Sequence, residues 1–204
     1  DWATHPVAPP GPLVRPLSPS RLVPQPPADP PDPARARAAA QRGRLLHLLF
    51  ERAGTVGAGE RPAVLVQLAQ RHAPELAEAE RAAVVAEALA VLALPELAPL
   101  FAPDALSEAM LAGEVAGQVI AGRVDRLLVE PERVRLLEFK TSRRVPASVE
   151  AIHPGHLAQI AAYRALCRQI WPERAVEAAL LFTAGPVLFA LDAAQLDSHA
   201  PGAA

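Results

Sequence analysis

Lys140 is the only lysine in the chain, since the Lys and Arg count is 20 and the other 19 are arginines. It stands in "LLEFKTSRR", residues 136–144, two positions after Glu138. Arg is a planar fork that stays charged, whereas Lys carries a compact ammonium with rotatable donors and a pKa that burial can lower. A solvated surface charge tolerates either residue; a site that needs a point donor beside a water or a phosphate oxygen does not. "GRVDRLL", residues 122–128, adds Asp125 upstream. With a hairpin turn centred between Pro131 and Glu132, residues whose numbers sum to 263 oppose each other, and Asp125 meets Glu138. Opposed residues of an antiparallel pair share a face, and Lys140 shares it too. A slip of one residue separates the two carboxylates, and Pro131 is awkward in turns that need positive φ.

Opposed carboxylates repel unless something neutralises them. A hard divalent cation does so, and Mg²⁺ is commonly held by one or two carboxylates plus water and substrate phosphates. A lysine beside it orients or deprotonates an attacking water and stabilises phosphate charge, which is metal-assisted phosphodiester hydrolysis. The competing reading makes Asp125 and Glu138 surface acids in ordinary ion pairs with Arg123, Arg126 and Arg135.

The elements that must position these residues are legible in outline. Residues 1–33 hold twelve of the 23 prolines and are expected to form a semi-rigid tether, with a proline-rich recognition peptide as the rival. Residues 34–102 pattern as helices: "ARARAAAQRGRLLHLLFERA", then "RPAVLVQLAQRHA" with Pro62 in a first turn, then a helix opened by Pro74 and closed before Pro95. Gly43 weakens the first of these and is expected to permit a close approach. From 103 to 204 the pattern turns to strands: one from about Ser107 to Glu114, a pair across the Glu130–Glu132 turn, a helix "HLAQIAAYRALCRQIW" ended by Pro172, and a second strand pair around Gly185–Pro186. The order predicts a mixed α/β core with a helical N-terminal embellishment.

Composition bounds the rest. The 204 residues suit one domain with appended chain, and 51% apolar content supports a core. Cys167 is the single cysteine, which excludes an internal disulfide framework or a four-cysteine metal site, and is expected to pack in the core. A net charge of −2 gives no global attraction to nucleic acid, so phosphate contacts must be local, with Lys140, Arg143 and Arg144 as candidates. No apolar run approaches the ~20 residues of a membrane span and no leader is visible, so a soluble, cytoplasmic protein without membrane contact is expected. The missing initial Met suggests a fragment of something longer.

Two more spacings matter. "GRLLH" sets Gly43 and His47 four apart on one helical face, and "QIAAY" does the same for Gln159 and Tyr163. Taken alone, each suits a packed or solvated helix edge. In order, "GRLLH", "GRVDRLL", "LLEFKTSRR" and "QIAAY" resemble the RecB-type branch of the PD-(D/E)XK nuclease superfamily. "PSRL", "QIAAYRAL" and "ALLFTAGPVLFAL" extend the likeness to AddA-type nuclease domains, C-terminal parts of helicase–nuclease subunits. Each motif is short; four in this order are specific.

The resemblance implies a restriction-endonuclease-like mixed sheet flanked by helices. It implies that His47, Asp125, Glu138 and the Phe139 carbonyl ligate Mg²⁺, with Mn²⁺ as an alternative, and that Lys140 serves the nucleophilic water. Gln159 and Tyr163 would position the DNA strand and brace the site, with Arg143 and Arg144 beside it. Glu138 departs from the Asp more usual there. The implied partners are DNA, as a single strand fed from a duplex end, an AddB-like subunit, and a helicase body on the same longer chain. No G-x-x-x-x-G-K-[ST] loop is present, so this stretch has no ATP site. A stand-alone RecB-like exonuclease and an inactive nuclease fold serving as a DNA-binding scaffold remain as alternatives.

Overall fold

Asp32 starts the first helix, its carboxylate accepting the Ala34 N–H at 3.0 Å with Pro33 in the first turn. In the computed structural model, which describes residues 15–23 and 32–203, α1 spans Pro33–Ala53. Next come α2 (Arg61–His72) and α3 (Glu78–Leu92), then a 3-10 segment at Pro95–Phe101. α3 begins four residues later than Pro74 suggests, at a turn where Glu80 accepts the Ala77 N–H. The sheet follows: β1 (Leu106–Val115), β2 (Gln118–Val129), β3 (Arg133–Lys140), α4 (Pro154–Ile170), β4 (Ala175–Phe182) and β5 (Val187–Leu191), closed by α5 (Ala193–Asp197). Strand order is β1-β2-β3-β4-β5; β3 and β4 are parallel, joined through α4, and the other pairs are antiparallel. The expected mixed sheet with N-terminal helices is therefore the observed architecture.

The two hairpin turns differ in chemistry. Ala116 and Gly117 both have positive φ (50° and 75°), the I′ geometry that matches strand twist. Between β2 and β3, Glu130 donates its N–H to the Arg133 carbonyl at 2.8 Å, and neither Pro131 nor Glu132 has a positive φ. The tight turn thus forms without the conformation Pro131 forbids. The register is Arg126↔Leu137 through Val129↔Val134, all summing to 263.

Two cores sandwich the sheet. Leu46, Leu49 and Phe50 of α1 pack with Leu128, Leu137, Phe139 and Leu181 on one face. Ile160, Tyr163, Leu166 and Cys167 of α4 pack with Ile120, Val124, Leu180 and Phe182 on the other. Cys167 is buried as expected, and burial pushes its thiol up to about 12. Among the described residues no single helix is long and apolar enough to cross a membrane.

Residues 15–23 correct part of the tether expectation. Leu17 exchanges backbone hydrogen bonds with Val119 and Ala121 of β2, and Pro19 is buried in a 3-10 turn against α4. A proline-rich run still docks where its prolines fill apolar gaps and its few N–H groups find partners. The remainder of the 1–33 stretch, apart from Asp32 and Pro33, lies outside the described residues.

Candidate active site

The pleat is broken at one place, and the polar residues gather there. Ser107 and Ala109 are two apart and would share a face of a regular strand. Instead Ser107 accepts a hydrogen bond from Arg126 on the α1 side, while Ala109 packs with the α4-side core. Val124 and Arg126 diverge likewise: Val124 joins the α4-side core, whereas Arg126 lies over the Phe101 ring, 4.3 Å from its centroid. Between the two pairs lie Glu108, with φ of +50°, and Asp125, opposite each other in the register although the ladder skips them. A left-handed backbone at a non-glycine residue is strain concentrated at this point.

Asp125 sits in the fork where β2 and β3 part. The β2–β3 ladder ends at Arg126↔Leu137, and the Phe139 N–H donates to Asp125 Oδ2 at 2.7 Å. Its other oxygen, Oδ1, is 2.9 Å from His47 Nδ1 of α1. A strand residue's N–H and C=O leave on the same edge, so the Phe139 carbonyl faces this fork as well. Ligand atoms of His47, Glu108 and Asp125 lie within 4.8 Å of one another. Glu108 was absent from the sequence-derived set. The Ala116–Gly117 turn could have found it, because a two-residue hairpin there opposes positions summing to 233, such as 108 and 125.

Glu138 points from β3 toward α4 and is 3% exposed. Its Oε2 accepts from Gln159 Nε2 at 3.1 Å and from Lys140 Nζ at 3.5 Å. Its Oε1 is buried without a hydrogen-bond partner among the described residues. Burial, then the charge of Asp125, raises the Glu138 pKa well above the usual carboxylate range. Glu108 is raised for the same two reasons in the same order. Burial pulls His47 down, but its hydrogen bond to Asp125 and the surrounding carboxylates carry it above its ordinary value. Negative charge crowded into a desolvated fork, with one carboxylate oxygen unpartnered, is a site that fits a divalent cation. His47, Glu108, Asp125, Glu138 and the Phe139 carbonyl are its candidate ligands, an oxygen-rich set suited to Mg²⁺ or Mn²⁺.

Lys140 is held rather than solvated. Its Nζ donates to Gln159 Oε1 at 2.7 Å, and its side chain is 10% exposed. Gln159 thus bridges Lys140 and Glu138. Tyr163, one turn further along α4, corrects an expectation. It is 2% exposed, and its hydroxyl donates to the Arg123 carbonyl at 2.7 Å, so no ring face is open to a base. It braces β2 two residues before Asp125. Gly43 behaves as expected: a Cβ there would lie 2.9 Å from Thr141 Oγ1. Arg42 reinforces that contact by donating to the Thr141 carbonyl at 2.9 Å while pairing with Glu87. Arg143 and Arg144 are exposed on the loop after β3 and form no ion pair among the described residues.

A family model described as the PD-(D/E)XK nuclease superfamily matches residues 21–200. The chain belongs to that superfamily. A PD-(D/E)XK reading gives Asp125, Glu138 and Lys140 the positions of the family pattern, on two neighbouring strands. Among solved structures, a protein from Eubacterium rectale assigned as an exonuclease is 16% identical, with 79% of this chain and 61% of that chain covered and a TM-score of 0.49. The chain therefore spans about three fifths of that protein's length. The protein SSO0001 is 18% identical, with 79% of this chain and 82% of that one covered and a TM-score of 0.35. No curated protein matches the chain.

Proposed function

We propose that this PD-(D/E)XK domain is a divalent-metal-dependent deoxyribonuclease that hydrolyses phosphodiester bonds of a single DNA strand. The observation that carries the reading is the Lys140–Gln159–Glu138 chain, which sets one ammonium beside a buried carboxylate that feels the charge of Asp125 and keeps one oxygen without a partner among the described residues. When bound, the cation would neutralise phosphate charge and make water acidic enough to attack at neutral pH. The protein's own part is positional. Asp125, fixed by the Phe139 N–H and by His47, presents its carboxylate in the fork. Gln159 clamps the Lys140 ammonium so that it faces the attacking water or the developing phosphate charge. Tyr163 holds β2 at the height this requires.

The wider context is inferred from the motif order. It supports an exonuclease domain of an AddAB-type helicase–nuclease that processes double-strand-break ends in the cytoplasm beside an AddB-like subunit. The deciding experiment measures cleavage of end-labelled single-stranded DNA with Mg²⁺ or with EDTA, using wild type and Lys140→Ala. Cleavage that needs Mg²⁺ and is lost in Lys140→Ala supports the reading; equal cleavage in both proteins rejects it.

A further inference from the structure

A second cavity adjoins the site. The loop leaving β3 after Lys140 returns at the start of α4, and between them lies a space of about 370 Å³ lined by Ser142, Arg144, Val145, His153, His156 and Phe182. Its position is tied to the catalytic lysine twice. Phe182 is the β4 partner of Lys140 in the parallel pairing. His156 precedes Gln159 by three residues on α4, hence one turn along the same face. On the other side of the same loop, Thr141 lines the larger cavity of about 550 Å³ that holds His47, Glu108 and Asp125. Thr141 and Ser142, the two residues that follow Lys140, thus line different hollows.

The chemistry of the two hollows differs. The acidic one suits a cation and a phosphate. The smaller one has an apolar floor of Val145 and Phe182, with the buried Phe182 ring packed edge-on against His156 at a centroid distance of 6.3 Å. Neither nitrogen of His156 has a hydrogen-bond partner among the described residues. Burial, then Lys140 and His153, lowers His156 to about 4, so near neutrality its ring is uncharged and offers one donor and one acceptor. An uncharged planar ring over an apolar floor fits a flat partner with a hydrogen-bonding edge. The exposed Arg144 at the rim supplies charge for a backbone phosphate.

We infer that this cavity receives the unpaired base of the nucleotide next to the scissile phosphate, with His156 as its contact and Arg144 on the adjoining backbone. The inference rests on the nuclease reading above and deepens it. A base inside the cavity has left its complementary strand, so the pocket itself selects single-stranded over paired substrate. Contact with the base face and a single edge group, rather than a full edge, makes the subsite tolerant of sequence.

The test is a set of end-labelled single-stranded oligonucleotides, each with one abasic residue at a different position, digested in Mg²⁺ by the full chain. Wild type is expected to pause when the abasic residue reaches the cavity, with the step there slowed by roughly tenfold, within the range of one lost base contact. His156→Ala should slow every step by a similar factor and show no added pause. Ala147 is exposed and also lines this cavity, and Ala147→Trp, which fills it from the rim, should do the same. Melting curves of both variants establish that they are folded. A wild type that passes the abasic residue without pausing overturns the inference, as does a pause of full size in folded His156→Ala. If wild type cuts no strand in Mg²⁺, the nuclease reading falls first and this subsite with it; Mg²⁺-dependent cutting without a pause removes the subsite alone.

Discussion

Lys140 stands out in an arginine-rich chain because its place admits no fork. Its Nζ lies 2.7 Å from Gln159 and 3.5 Å from Glu138, and the side chain is almost enclosed. Lys140→Arg keeps the charge but has no room for a guanidinium between these partners, so cleavage should fall by at least about tenfold, or roughly 1.4 kcal/mol of transition-state stabilisation. Unchanged turnover of single-stranded DNA in Lys140→Arg would return the residue to an ordinary cation. Tyr163 gives the opposite expectation. Tyr163→Phe removes the hydroxyl that satisfies the Arg123 carbonyl, costing about 1 kcal/mol of stability as a lower melting temperature, with single-strand affinity unaltered. Weakened affinity in a protein melting like wild type would restore the strand-contact role. As candidates, Asp125, Glu138 and Lys140 were legible because their types and spacings are chemical in themselves, whereas His47 came forward only through the resemblance. The burial of Tyr163 was not, since a tyrosine on a helix face reads alike whether it meets a base or a strand.

At the scale of elements, the site is made by a defect in the sheet. The β2–β3 register could be read from the Pro131–Glu132 turn, because a two-residue loop fixes every pair behind it. Where that ladder opens could not, because it depends on Glu108 in β1 adopting φ of +50° and reversing the pleat on both sides. No local propensity marks that reversal; tertiary contacts do, through Ser107 and Arg126. Arg126 is fully buried, is lowered to about 10 by that burial, and donates to the Phe50 carbonyl at the end of α1. It holds the helix that carries His47 against the strand that carries Asp125. Two substitutions separate strain from charge at position 108. Glu108→Gln removes charge and keeps the strained left-handed conformation; Glu108→Gly removes charge and lets the same conformation form without strain, a relief worth about 1–2 kcal/mol. In EDTA, Glu108→Gly should therefore melt higher than Glu108→Gln, and both should bind Mn²⁺ more weakly than wild type by calorimetry. Equal melting of the two would mean the strain is not stored there.

For the whole molecule, the acidic fork couples stability to pH and to metal with opposite signs. Glu138 and His47 both have folded pKa values raised above their unfolded ones. Each contribution is complete below the unfolded pKa, about 4.3 for Glu and 6.5 for His, and is lost as pH rises through the folded value. His156 works the other way. Its folded value is lowered to about 4, so its contribution is present above about 6.5 and is lost as pH falls below that. Above about pH 6.5 the His156 ring is neutral folded and unfolded, which leaves the fork to set the slope until the buried Cys167 thiol, pushed up to about 12, adds a loss of the same sign near the upper end. In EDTA the melting temperature should fall as pH is raised from about 6.5 to 8.5. A divalent cation binds only the deprotonated ligands, so its affinity climbs over the same interval. It stabilises the folded state by mass action, and the Mg²⁺-induced rise in melting temperature should grow with pH. Glu138→Gln has no proton to surrender at that position, so its Mg²⁺ shift should be smaller and flatter. Thermal melts at fixed ionic strength, with Mg²⁺ and with EDTA at each pH, measure the difference. A Mg²⁺ shift that is constant across the interval in wild type would mean that the cation does not enter through Glu138 and His47.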